Sequence, residues 1–84
     1  MITKSGFEFA IDPAALDDME LIEALAALET NPLVVPKVIT LLLGKEQKER
    51  LYDHLRDENG RVRVSSVSQE LAEIFQLARN DLKK

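Results

Sequence analysis

Asn31 to Asp57 reads NPLVVPKVITLLLGKEQKERLYDHLRD, and this stretch decides the fold. Asn31 and Pro32 stop any helix arriving from upstream, because asparagine caps and proline cannot continue the backbone ladder. Leu33–Leu43 is then apolar on nearly every side. Pro36 fits a first helical turn, where its missing N–H has no partner to lose, and Gly44 supplies a left-handed stop. Lys45–Asp57 follows as a second helix with a charged outer face, on which Glu46 stands four residues before Arg50. Its inner face is thin: Leu51, Tyr52 and Leu55. Two helices separated by one glycine predict a mainly α fold. A helix apolar all round is either wrapped by its neighbours or waiting for a partner.

Downstream, HLRDENGRVRVSSVSQEL (His54–Leu71) has the outline of a calcium-binding helix–loop–helix. Setting Gly60 at the sixth loop position puts Asp57 and Asn59 at the third and fifth, where oxygen ligands belong. The first position is then Leu55 and the twelfth is Ser66, so both strong anchors are missing. Asn59 and Gly60 therefore read as a turn between a helix and an extended stretch, with no metal site. A last helix is expected to be capped at Ser66, with Gln69 three residues on. Its buried stripe is Val67, Leu71, Ile74, Phe75, Ala78 and Leu82.

Upstream, Asp17 and Glu20 have capping-box spacing, and Leu16 and Leu21 stand as a hydrophobic staple. DDMELIEALAALE (Asp17–Glu29) reads as a helix with Met19, Ile22, Leu25 and Leu28 inward and Leu21 widening the stripe. Asp12-Pro13 offers an earlier cap followed by proline. Before it, GFEFAID alternates, with Phe7, Phe9 and Ile11 on one side, which is strand periodicity. The one candidate partner for such a strand is the alternating Arg61–Val64. The expected architecture is a single domain over residues 1–84. Residues 1–12 form an extended arm or strand, and residues 13–82 form a small bundle of about four helices.

Composition narrows the function classes. A chain of 84 residues that is 45% hydrophobic and 31% charged folds as one small soluble domain. Without cysteine there are neither disulfides nor thiolate metal sites. The first residues lack the pattern of a signal peptide. The apolar clusters Leu33–Val35 and Leu41–Leu43 are far too short to span a membrane. Residues 1–36 hold seven acidic groups and one base, Lys4, whereas residues 37–84 hold ten bases and eight acids. That asymmetry, with the extended arm, is what would favour a homo-oligomer.

Candidate chemistry is thin. Gly44-Lys45 fails as a phosphate loop, having Ile39 where the earlier glycine belongs and Glu46 where a hydroxyl residue belongs. His54 is the only histidine, and no serine is placed in sequence to suggest a nucleophilic pair with it. No cofactor or catalytic residue is expected. Lys37–Arg56 admits a helix–turn–helix regulator as the alternative. However, Glu46, Glu49 and Asp53 are interleaved with the bases and would face the phosphates, so nucleic-acid binding is not expected.

Four linked pieces carry a resemblance: FEFAIDPAALDDMELIEALAAL (Phe7–Leu28), NPLVVPKVITLLLGKEQKERLYDHLRDENGRV (Asn31–Val62), the serine-rich link, and ELAEIFQLA (Glu70–Ala78). Together they resemble the small tail assembly chaperones of long-tailed (siphovirus-type) bacteriophages and prophages. The most distinctive part is Leu41–Val62. The resemblance implies a non-enzymatic protein of the host bacterial cytoplasm, absent from the mature virion. Such proteins coat the helical tape measure protein and recruit tail tube subunits. Shielding amphipathic helices needs an apolar surface. The candidate protein-binding residues are therefore Leu33, Val34, Val35, Val38, Leu41 and Leu42, with core filling as the competing role.

Overall fold

The computed structural model describes residues 1–82, with side chains described through residue 80. The fold is mainly helical, a small bundle without a sheet among the described residues. Its elements are α1 (Pro13–Leu16), α2 (Met19–Leu28), a 3-10 turn (Pro32–Val34), α3 (Val35–Leu43), α4 (Lys45–Leu55) and α5 (Val64–Leu82). No described helix is long and apolar enough to cross a membrane.

Asp12 and Pro13 do open a helix, but a single turn of one. Asp12 Oδ1 accepts the Ala14 N–H at 2.9 Å, and Asp17 closes the turn rather than opening the next helix. The cap of α2 is Asp18, whose Oδ1 accepts the Glu20 N–H at 2.9 Å. The inward face of α2 also differs from expectation. Leu21 and Ala24 are buried and Leu25 and Leu28 half-buried, while Met19 is 69% exposed and Ile22 52%. The cause is geometric. Residues at i, i+3, i+6 and i+9 drift steadily around a helix of 3.6 residues per turn, so Met19 and Leu28 cannot share a face. Leu21, Ala24 and Leu28, at i, i+3 and i+7, can.

The helix α3 is the hub, packing against α1, α2 and α4. Its Val35, Val38, Ile39, Leu42 and Leu43 are buried, with Val38 and Ile39 fully so. Gly44 alone joins α3 to α4. At φ 85° and ψ 163° it occupies a region essentially reserved for glycine. Its N–H donates to Thr40 O at 2.9 Å and its carbonyl accepts from Lys48 N at 3.0 Å, so one residue ends one helix and starts the next. Along α4, Leu51 is buried and Tyr52 and Leu55 half-buried, the thin inner face expected. Arg50 does not pair with Glu46. Its guanidinium lies 5.5 Å from the Phe7 ring centroid, a cation–π contact, and reaches Glu8 O at 3.4 Å.

The N-terminal strand finds a different partner from the one expected. Phe7–Phe9 folds back on Met1–Thr3, with Ile2 opposite Glu8, and not on Arg61–Val64. Thr3 N donates to Phe7 O and Phe9 N to Met1 O, each at 3.0 Å, and Gly6 turns the chain at φ 93°. A partner joined through only Lys4, Ser5 and Gly6 has almost no loop to close, whereas Arg61–Val64 lies more than fifty residues away. The alternation itself survives: Phe7 and Phe9 are both buried and stack, with ring centroids 6.1 Å apart. Gln47 clamps the end of the arm, donating to Ala10 O at 2.7 Å and accepting from Ala10 N at 2.8 Å.

The last helix begins earlier than Ser66. Val67 N donates to Arg63 O at 3.1 Å, so the first turn closes on Arg63 and both Ser65 and Ser66 are helical. The stripe is otherwise as expected. Val67, Leu71, Ile74 and Ala78 are buried and Phe75 is half-buried, while the Leu82 side chain lies outside the described residues.

Candidate functional site

The six residues expected to bind a partner divide between surface and core. Leu33 is 84% exposed, and Val34 and Leu41 are half-buried. Val35, Val38 and Leu42 are buried. Inward positions at i, i+3, i+4, i+7 and i+8 from Val35 take most of the apolar residues of α3, Leu41 is half-buried, and the outward positions are Pro36, Lys37 and Thr40. In this arrangement α3 presents no continuous apolar face to solvent.

Such a face exists elsewhere, between α2 and α5. Buried Val35 and Leu71 form the floor of a groove of about 480 Å³, and half-buried Leu25, Leu28 and Phe75 form its walls. Pro32, Ser68 and Ala72 stand exposed at the rim. Val35 is the one member of the expected six that borders it. The groove forms because Leu25 on α2 and Phe75 on α5 sit beside, not on, the lines that face the core. A sequence signal for it was present. Ile74 and Phe75 are both large and apolar, which widens the α5 stripe past what α3 and α4 cover.

The turn at Asn59-Gly60 is observed. Asp57 Oδ1 accepts the N–H of Asn59 at 2.9 Å and of Arg61 at 3.0 Å, Gly60 N donates to Asp57 O at 3.0 Å, and Gly60 takes φ 81°. The second carboxylate oxygen faces Arg63 Nε at 3.7 Å. The Arg61 N–H above all, opposed by burial and helped to a smaller degree by the Asn59 N–H and the Arg63 charge, holds the Asp57 carboxyl below its ordinary range. Both oxygens thus serve the turn. Among the described residues, no group of three or more His, Asp or Glu side chains converges in metal-binding geometry.

Sequence reasoning missed a polar cluster that fastens the arm to α4 and α5. Buried Glu70 accepts hydrogen bonds from the Thr3 hydroxyl and, at 2.7 Å, from the Ser5 hydroxyl. Ser5 Oγ also shares a hydrogen bond of 3.0 Å with His54 Nε2, and Lys4 N donates to Glu73 Oε2 at 2.6 Å. In a nucleophilic triad the imidazole stands between hydroxyl and carboxylate. Here carboxylate and imidazole meet on the same hydroxyl, so the cluster has the form of a strap. No short-range signal marks it, since Ser5 is 49 residues from His54 and 65 from Glu70.

On α4, the exposed Lys45 and Arg50 alternate with Glu46, Glu49 and Asp53. The single-residue joint at Gly44 is shorter than the three- or four-residue turn of a helix–turn–helix. No family model, curated protein or solved structure matches this chain.

Proposed function

We propose that this protein is a non-enzymatic assembly chaperone for the tail of a long-tailed bacteriophage or prophage. It acts in the host bacterial cytoplasm, holds the tape measure protein soluble, helps recruit tail tube subunits, and is absent from the finished particle. The sequence likeness over Phe7–Ala78 supports this identity. The observation that carries it physically is the open apolar groove between α2 and α5, a surface of the kind that shields amphipathic helices. Met19, Ile22 and Leu33 are also exposed.

Co-expression with the tape measure protein encoded nearby tests the proposal. The expected result is that the two co-purify and that the larger protein becomes soluble. A tape measure protein that stays insoluble, with none retained on the tagged partner, contradicts it.

A further inference from the structure

We infer that the groove between α2 and α5 docks a basic amphipathic helix. The inference deepens the chaperone proposal and rests on it only for the identity of the natural occupant.

Two neighbouring helices form the walls, so the groove is a trough that accepts the ridge of a third helix. On α2, helical spacing places Ile22, Leu25 and Glu29 along one flank: Ile22 is 52% exposed, Leu25 is half-buried and Glu29 is exposed. On α5, Val64, Ser68, Leu71 and Phe75 follow one another at spacings of four, three and four, and Val64 is 67% exposed. The apolar lines therefore run past the groove at both walls instead of closing over it. The lining residues span about one turn of α2, Leu25 to Leu28, and about two turns of α5, Ser68 to Phe75.

Charge selects the occupant. Residues 5–36 contain seven acidic groups and no base, so the α2 side presents Glu29, with Asp18 one helical repeat beyond Ile22, and nothing positive to offset them. The α5 wall beside the groove is neutral through Ser68, Ala72 and Phe75, and the single base of α2 and α5 together, Arg79, continues that wall one helical repeat past Phe75, at the end of the groove away from Val64. An incoming helix gains from lysine or arginine where its polar face meets α2. Acidic residues there would be repelled.

The test uses a lysine-rich peptide of about 18 residues, with leucine at i, i+3 and i+7 spacing, and its glutamate-for-lysine twin. Fluorescence anisotropy is read against the full chain. The lysine peptide is expected to bind and the twin to bind at least about tenfold more weakly. Ala72→Arg, at an exposed rim position, and Glu29→Lys should each weaken the lysine peptide about tenfold while circular dichroism stays unchanged. Glu23→Lys, the same charge change on the opposite flank of α2, should have little effect.

Equal binding of both peptides, binding of neither, or an equal loss in Glu23→Lys and Glu29→Lys overturns the inference. So does self-association through this face that the lysine peptide fails to disperse, because a second copy is then the occupant. Co-purification of the tape measure protein that is indifferent to Ala72→Arg overturns the groove and leaves the chaperone proposal standing. Peptide binding without any such co-purification does the reverse.

Discussion

The α3 helix and the α2–α5 groove are both apolar, and they differ in what surrounds them. Three elements pack on α3, so its Val38 and Ile39 are fully buried although the segment reads as apolar on nearly every side. The groove is less conspicuous in sequence, a leucine beside a core line on α2 and a phenylalanine beside one on α5, yet it stays open. Apolar density thus marks the centre of a small bundle better than it marks a docking face. The face left for a partner is found on the shoulders of helices, where one stripe is wider than its neighbour can cover.

That contrast can be broken at the core. Ile39→Ala should cost about 2–5 kcal/mol in urea unfolding, as deletion from a packed interior does. Ala72→Arg at the groove rim should stay within about 0.5 kcal/mol of the parent, as surface substitutions do. Similar losses at both sites would mean that the groove is structural core after all. A smaller effect is expected at the joint that holds α4 against α3. Gly44→Ala should destabilise by about 1–3 kcal/mol through backbone strain alone, since no atom lies within 4 Å of the added Cβ. A neutral result in thermal unfolding would show that the joint can relax, and that the α3 core is less fixed than described.

The smallest effect belongs to the exposed turn. The folded Asp57 carboxyl titrates below its ordinary value of 3.8, so its contribution to stability is present above that value and is lost as pH falls through the lower folded one. Asp57→Asn should therefore be slightly less stable than the parent at neutral pH and converge with it in acid. A difference that grows on acidification would reverse the sign and the explanation.

Much of this was legible in the sequence, for reasons that separate by range. The helical character, the stop at Gly44, the turn at Asp57–Gly60 and most of the α5 stripe depend on residues within a few positions of one another, and each was expected. The face of α2 went wrong because a spacing of three, repeated, drifts away from the helical period, which a count of apolar residues conceals. The pairing of Phe7–Phe9 with Met1–Thr3 was missed because those first residues carry little alternation of their own. The strap of Thr3, Ser5, His54 and Glu70 joins three separate segments, and only the folded chain brings them together. The same holds for the groove, since Leu25 and Phe75 become neighbours of one space only once the fold sets α2 and α5 on its two sides.

Amide chemical-shift mapping during titration with the lysine-rich peptide locates the docking face on the molecule itself. Shifts are expected to concentrate at Leu25, Leu28, Ser68, Ala72 and Phe75, with α4 unmoved. Shifts centred on the outward residues of α3 or on α4, or no shifts at all, would contradict docking in the groove.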